Sequence, residues 1–528
     1  MSKMLGVMLD CSRNAVLNVE TVKKYADIMA KMGYNTLYLY TEDTYEVDNQ
    51  PYFGHLRGRY SKEELKEIDK YCLEKGIELI PCIQTLAHLE AMFKWVTVYD
   101  EVNDCDNILL IGEEKTYELI EDMISTLSQC FTSNKIHIGM DEAFRVGTGK
   151  YQQKHGIRDR FDIMNEHLHR VCDIVSKYGK EAIIFSDMFC KLALNVETIY
   201  EKADTSQILE KAQLPENVSL VYWDYYSNKY DHYQEQIKIN KMFGRKVYFF
   251  GAAWTFLGLA PDNAWSLEST EPAIKACNDE DIDGIVMAVW GDNGGECSKF
   301  SILPSLLYAA EAARGNYDLE SVKKKFRELF GCDFDSFMLF DKLDGPRILQ
   351  RDNASKGLLY NDIFLGMRDC TVSHETSEFY KNLAQQIHDV EDKGEYKYLF
   401  DHFEKLARVL SLKCNLGNEI RAAYRSKDTD AIKSVIKACE IALLEIKEYH
   451  REYESLWFYE NKPHGYDVQD LRLGGLMQRI ESCTRRLKKL ADGEISVIPE
   501  LEEPVLDQKA GYGNWPNEWR QMCTPNII

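Results

Sequence analysis

The sequence predicts an α/β fold: a (β/α)8 TIM barrel over residues 1–315, followed by an α-helical domain over residues 316–528. Three observations carry this expectation. Strand-like and helix-like segments alternate eight times over the first 315 or so residues, the pattern of an α/β fold. Several strands, such as Ile183-Ile184-Phe185 and the stretch 284–290, are near-continuous apolar runs, as expected of parallel strands buried on both faces. No glycine-rich phosphate turn follows an early strand, which sets aside the doubly wound open sheet.

The strands are expected at 5–11, 36–42, 78–85, 135–142, 182–188, 218–225, 247–254 and 284–290. Helices are expected at 19–32, 61–75, 117–130, 160–178, 232–243, 271–278 and 304–314. Ser61 with Glu64 three residues on is a capping-box signal. From residue 316 the alternation stops. Amphipathic helical stretches follow at 322–330, 375–392, 396–413, 431–454 and 471–490. The stretch 494–528 is broken by Pro and Gly, so an extended tail is expected there.

At 528 residues the chain is too long for one ordinary core, in keeping with a barrel and an extension. Hydrophobic residues make up 45% and charged residues 28%, the balance of a soluble globular protein. The net charge of -22 argues against nucleic acid and anionic membrane surfaces as partners. No run of about 18 apolar residues occurs, so no transmembrane helix is expected. The first apolar run is short and interrupted by Asp10, unlike a secretory signal. Fifteen cysteines are scattered without Cys-x-x-Cys pairs, and Cys82, Cys172 and Cys277 fall inside apolar segments. Reduced thiols in a cytoplasmic protein account for them better than disulfides or a zinc site.

The run Lys135-Ile136-His137-Ile138-Gly139-Met140-Asp141-Glu142 reads as a buried strand ending in two adjacent carboxylates. Neighbours on an extended strand face opposite sides. For Asp141 and Glu142 to act together, the chain must turn there, at the strand's carboxyl end, where α/β barrels build active sites. Two carboxylates in one partly buried place push their pKa values apart, so one stays charged while the other carries a proton. The alternative is that the pair caps the next helix.

The other strand ends are also polar and aromatic. They read Asp10-Cys11-Ser12-Arg13, Thr41-Glu42-Asp43, Ser186-Asp187, Trp223-Asp224-Tyr225, Trp254 and Trp290-Gly291-Asp292, with His88 after the third strand. Three tryptophans on one rim beside carboxylates suit a sugar. Aromatic faces stack on pyranose rings while carboxylates and arginine take the hydroxyls. Rim histidines are too sparse for a metal site, since His137 lies inside a strand and His167 and His169 on an outer helix. No metal and no cofactor is expected.

In these residues the chain resembles the family 20 glycoside hydrolases, the β-N-acetylhexosaminidases. His137-x-Gly139-x-Asp141-Glu142 matches the family's catalytic signature, and Leu9 to Arg13, His88 and Trp290-x-Asp292 match in placement. The sequence departs from the family pattern in three places. No α/β domain precedes the first strand, Phe185 stands where a Trp is common, and Asp292 stands where a Glu is often found.

The resemblance implies retaining, substrate-assisted hydrolysis, one of the exceptions to the two-carboxylate rule. The substrate's own 2-acetamido oxygen attacks the anomeric carbon to give an oxazolinium ion. It assigns Glu142 as general acid and then base, and Asp141 as the charged group that orients the acetamide. Tyr225 would bond the acetamide oxygen. Arg13 would bind the 3- and 4-hydroxyls through its planar fork, and His88 would tune Glu142, in a relay with Glu42 or Asp43. Trp223, Trp254 and Trp290 would box the sugar, and Asp292 would take the 4- or 6-hydroxyl. Asp224 and Asp187 stand as substrate-binding or supporting groups.

The expected activity is exo-acting release of terminal β-linked GlcNAc or GalNAc from oligosaccharides. The alternatives are a disaccharide-releasing enzyme of the same family and a barrel that binds carbohydrate without turnover. A carbohydrate is the expected partner, and the helical domain and tail offer surface for a homodimer. The segment from Asn461 to Asp467 breaks the helical pattern. It reads either as an interhelical loop or as a segment over a barrel mouth that limits substrate length. The basic run from Arg485 to Lys489 reads as a solvated helix end.

Overall fold

A computed structural model describes residues 3–194, 214–345, 354–506 and 518–528. Eight parallel strands close a barrel: β1 (Met4–Asp10), β2 (Thr36–Tyr40), β3 (Glu78–Cys82), β4 (Lys135–His137), β5 (Glu181–Phe185), β6 (Val218–Trp223), β7 (Val247–Ala252) and β8 (Gly284–Val289). They stand in chain order around the ring, and β1 closes on β8 with Met4 opposite Gly284 and Leu9 opposite Val289. Outer helices lie between them: α1 (Val19–Met32), α2 (Lys62–Glu74), α3 (Glu114–Ser128), α4 (Arg160–Lys177), α5 (Tyr230–Lys241), α6 (Asn263–Asp279) and α7 (Leu303–Ala313).

Local chemistry explains the helix starts. Asn18 caps α1 by accepting from the Thr21 N–H at 2.9 Å. Ser61 and Glu64 close the expected capping box on α2. Helix α6 begins at Asn263, not near 271 as the sequence suggests. Its cap is Asp262, whose side chain accepts from the Trp265 N–H at 2.9 Å, and Pro272 lies inside the helix.

Strand β4 departs furthest from its expected span. It ends at His137, not at Glu142. Gly139, Met140 and Glu142 take φ of +71°, +75° and +49°, so the chain leaves the extended region immediately after the strand.

Two apolar cores result. One fills the barrel lumen with Met8, Tyr38, Ile80, Ile183, Val221, Phe250 and Val286. The other lies between strands and helices and runs on into the helical region, joining Val16 and Leu17 to Leu456 and Trp457. That region is built from α8 (Leu319–Phe330), α9 (Ala354–Tyr360), α10 (His374–His388), α11 (Lys397–Lys413), α12 (Leu416–Ser426), α13 (Thr429–Glu460) and α14 (Tyr466–Ala491). Among its described residues the tail carries two short helices, Pro499–Glu502 and Trp519–Cys523. The rest of its expected course lies partly outside the described residues. Among the described residues, no helix is long and apolar enough to cross a membrane.

Candidate active site

The turn after β4 makes the site. Positive φ at non-glycine residues is uncommon and is held only where the surroundings determine it. Here Met140 donates its N–H to Gln84 Oε1 at 3.2 Å, and Glu142 donates its N–H to Asp187 Oδ2 at 3.0 Å. Gly139 has no substitute in this path. A Cβ would meet Gln84 Oε1 at 2.1 Å and the Ile83 carbonyl at 2.7 Å. The kinked path gives the two adjacent carboxylates a common contact. His88 Nε2 lies 3.4 Å from Asp141 Oδ2 and 3.5 Å from Glu142 Oε2.

The two carboxylates differ in environment. Asp141 is 7% exposed. Its Oδ1 accepts from Gln84 Nε2 at 2.7 Å and its Oδ2 faces His88. Burial works against its charge, but the His88 cation and the Gln84 donor outweigh burial and hold the carboxyl below its usual range. His88 responds in kind. Burial opposes its proton, but Asp141 and then Glu42 push it up to about 10. Glu142 keeps a side chain 40% exposed. Burial first, and then the Asp141 charge, raise its pKa.

From Asp141 a buried relay runs to Arg13. Gln84 Nε2 also donates to Tyr40 Oη at 2.9 Å, and Tyr40 donates to Glu42 Oε1 at 3.0 Å. Glu42 Oε1 pairs with the Arg13 guanidinium at 3.1 Å. Burial pushes Glu42 up to about 7 against the pull of Arg13 and His88. Burial also opposes the Arg13 charge, but Glu42, Asp292 and Asp10 more than offset it, so Arg13 holds its proton more tightly than usual. Asp292 faces the same guanidinium, and burial raises its pKa against Arg13. Arg13, Glu42, His88, Asp141, Glu142 and Asp292 therefore share one electrostatic site. Asp43 pairs instead with Arg57 at 3.2 Å and reaches the site only through its charge on Glu42.

Asp187 is a third buried carboxyl at this place. Burial first, and then the charge on Asp141, push it up to about 8.

The aromatic groups line the lumen side. Tyr225, Trp254 and Trp290 belong to the lumen core, and the partly buried Trp223 packs against it. Trp290 meets Tyr40 edge-on at 5.0 Å, and Trp254 lies 4.7 Å from Phe256 and 6.1 Å from Tyr225 between ring centroids. Trp254 is only 1% exposed, which makes it a wall behind Tyr225.

Asp224 does not face this group, contrary to its expected place among the substrate ligands. It is 1% exposed. Its Oδ2 accepts from Tyr222 Oη at 2.8 Å and contacts His232 Nε2 at 2.6 Å, while its Oδ1 accepts from the Tyr226 N–H at 3.0 Å. Asp224 braces the turn against α5. By pinning the Tyr226 backbone it helps set the side chain of Tyr226, which feels the charges of Asp292 and Glu142.

Sequence reasoning missed Tyr226, Gln84 and Tyr40. Tyr226 stands one place beyond Tyr225, so strand-end position could have found it. Gln84 lies inside the span assigned to β3, and nothing in its surroundings marks it. The Asn461–Asp467 segment packs on the loop after β1: Lys462 donates its N–H to the Val16 carbonyl at 2.7 Å, and Gly465 sits against the Asn14 carbonyl. Among the described residues, no group of three or more His, Cys, Asp or Glu side chains is arranged to hold a metal ion.

Residues 4–249 match the family model of the glycosyl hydrolase family 20 catalytic domain, and residues 335–515 match that of the Glycoside Hydrolase 20C C-terminal domain. A probable beta-hexosaminidase of Arthroderma benhamiae is 24% identical over 252 residues, covering 42% of this chain and 38% of that protein. Hexosaminidase D of Bos taurus is 30% identical over 127 residues, covering 22% of this chain and 35% of that protein. The chain thus spans less than two fifths of the length of either relative. A solved exo β-N-acetylglucosaminidase from Vibrio harveyi superposes with a TM-score of 0.48 at 18% identity, covering 64% of this chain and 58% of that one. With a catalytic-domain match across most of the barrel and a C-terminal-domain match across the helices, the chain belongs to glycosyl hydrolase family 20.

Proposed function

We propose that the protein is an exo-acting β-N-acetylhexosaminidase that removes terminal β-linked GlcNAc or GalNAc by retaining, substrate-assisted hydrolysis. One observation carries the reading. Two adjacent carboxylates touch the same histidine, yet Asp141 is held below its usual pKa and Glu142 above it. Such a split assigns an anion and an acid. The relatives, a probable beta-hexosaminidase and a hexosaminidase D, support the substrate class.

Glu142 is the partly exposed member and the proton carrier. It protonates the glycosidic oxygen as that bond breaks, then takes a proton from the incoming water. Asp141 has one oxygen on Gln84 and the other facing His88. A carboxylate so engaged suits charge stabilisation better than covalent attack. It would orient the 2-acetamido N–H so that the acetamide oxygen closes on the anomeric carbon. The ring carbon keeps its configuration because water later opens the oxazolinium ion from the opposite face. Arg13 and Asp292 would hold the hydroxyls, and Trp223 and Trp290 the ring faces, with Trp254 behind them. A cytoplasmic setting is part of the reading, supported by fifteen free and mostly buried cysteine thiols.

The test is hydrolysis of chromogenic β-GlcNAc, β-GalNAc and β-glucosides by the wild type and by Glu142→Gln. Turnover of the 2-acetamido sugars alone, lost by about 10²-fold or more in the variant, is expected. Equal turnover of the glucoside would remove the acetamide from the mechanism. No turnover at all would favour the disaccharide-releasing or binding-only alternatives.

A further inference from the structure

Three helices of the helical region converge on the loop after β8. Glu296 sits in that loop and is 3% exposed. Its Oε2 lies 2.6 Å from Lys356 Nζ on α9, and its Oε1 lies 2.5 Å from a terminal nitrogen of Arg472 on α14. Tyr453 on α13 donates to the Glu296 carbonyl at 2.9 Å. Glu296 pairs with both cations, and Asp344 adds its charge to the pull on Lys356. A buried charge is costly unless compensated, and both cations also reach one further acceptor. Arg472 donates to the Asn293 carbonyl at 2.8 Å, and Lys356 donates to the same oxygen at 3.4 Å.

Asn293 directly follows Asp292 and sits at φ +61°. A non-glycine residue keeps that conformation only where its surroundings hold it. Gly294, at φ +125°, passes so close to Arg472 that a Cβ would come within 2.9 Å of the guanidinium. Gly295, at φ +66°, is seated against the other rim loop, where a Cβ would meet Ala15 Cβ at 2.6 Å and the Arg13 carbonyl at 2.9 Å. Asp10 ties the same two loops together. Its Oδ2 accepts from the Gly291 N–H at 2.9 Å and its Oδ1 from the Ser12 N–H at 2.8 Å. Arg13 and Asp292 therefore ride on one block, and the helical region grips its outer edge.

We propose that Arg472 and Lys356, anchored by Glu296, are positioning residues that set Asp292 for sugar binding through the Asn293 carbonyl. This rests on the assignment of Asp292 as a hydroxyl ligand in the proposed function. It makes the helical region part of the binding apparatus without contact to substrate. Because the array holds a ligand of the bound sugar and not the proton carrier, it acts on KM more than on kcat.

The experiment compares the wild type with Arg472→Lys, Lys356→Met, Asp292→Asn and the Arg472→Lys/Asp292→Asn double variant. Arg472→Lys keeps the charge but ends one bond short of the Nη1 nitrogen that reaches both Glu296 and the Asn293 carbonyl. Lys356→Met leaves the Glu296–Arg472 pair whole, so a folded variant remains if one replacement fails. For each, kcat and KM on aryl β-GlcNAc and β-GalNAc are measured, with calorimetric binding of N-acetylglucosamine and the thermal transition.

The expected result is a folded Arg472→Lys with KM raised about tenfold, kcat little changed and N-acetylglucosamine binding weakened in step. The double variant is expected to be no worse than Asp292→Asn alone, since residues acting through one network are not additive. Unchanged KM and binding in a folded variant, or losses that multiply in the double variant, would overturn the proposal. Absence of turnover by the wild type defeats the proposed function, while the binding comparison still decides this inference. A wild type that binds no N-acetylhexosamine overturns both.

Discussion

The Glu142 backbone N–H donates to Asp187 Oδ2 at 3.0 Å, so the end of β5 holds the residue that ends the catalytic turn. Glu142 sits at φ +49°, and this bond is one of the contacts that keeps it there. Burial and the Asp141 charge push Asp187 up to about 8, so at neutral pH it carries a proton and still offers a carbonyl oxygen. Asp187→Asn, which keeps an acceptor oxygen and never ionises, should retain activity within about threefold. Asp187→Ala should lose at least about fivefold in kcat, because a buried N–H left without an acceptor costs about 1–3 kcal/mol. Steady-state kinetics on an aryl β-GlcNAc checks both. Equal loss in the two variants would contradict the neutral acceptor.

His88 keeps Asp141 ionised. Removing the cation with His88→Asn raises the Asp141 pKa, because burial then acts with less opposition. The acidic limb of the kcat/KM profile should move to higher pH, and kcat should fall about 10²-fold or more as transition-state charge loses its support. A pH–rate profile of both proteins decides it. An acidic limb that does not move would separate His88 from Asp141.

Stability should fall as pH rises from about 6.5 to 8. Several buried groups hold protons more tightly in the fold than in the unfolded chain: Asp344 to about 6, Glu42 and Glu460 to about 7, Asp187 and Asp341 to about 8, and His88 to about 10. Between the unfolded carboxylate pKa, near 4, and these values, the folded chain binds more protons, so stability declines with pH. His88 adds to the decline above its unfolded pKa, near 6.5. His137 and His402 act oppositely. Burial holds both near 3, so their contribution is lost only on acidification below about 6.5. Urea denaturation at several pH values gives the slope, and Asp341→Asn should flatten it.

Much of the barrel was legible because each buried parallel strand writes an apolar run and each rim ends in polar residues. Asp141 and Glu142 were legible because adjacent carboxylates at a strand end demand a turn, and Gly139 supplies part of it. Strand position tells which end a residue occupies but not which way its side chain points. Asp224 was therefore read as a ligand, although Tyr222, His232 and the Tyr226 N–H consume it. Gln84 was silent for a related reason. Its amide matters only because the folded chain brings Tyr40, Met140 and Asp141 around it. The grip of Arg472 on Asn293 joins residues 179 positions apart, beyond the reach of any local pattern.

The proposed reaction turns on attack by the substrate's own acetamide oxygen. The most direct measurement is kcat/KM for a series of aryl β-glucosaminides whose N-acetyl group carries zero to three fluorines. Fluorine drains the acetamide oxygen without changing the leaving group. The account predicts a steady fall of about 10²-fold or more across the series, about 3 kcal/mol of barrier. A flat series would contradict it and return the nucleophile's role to Asp141.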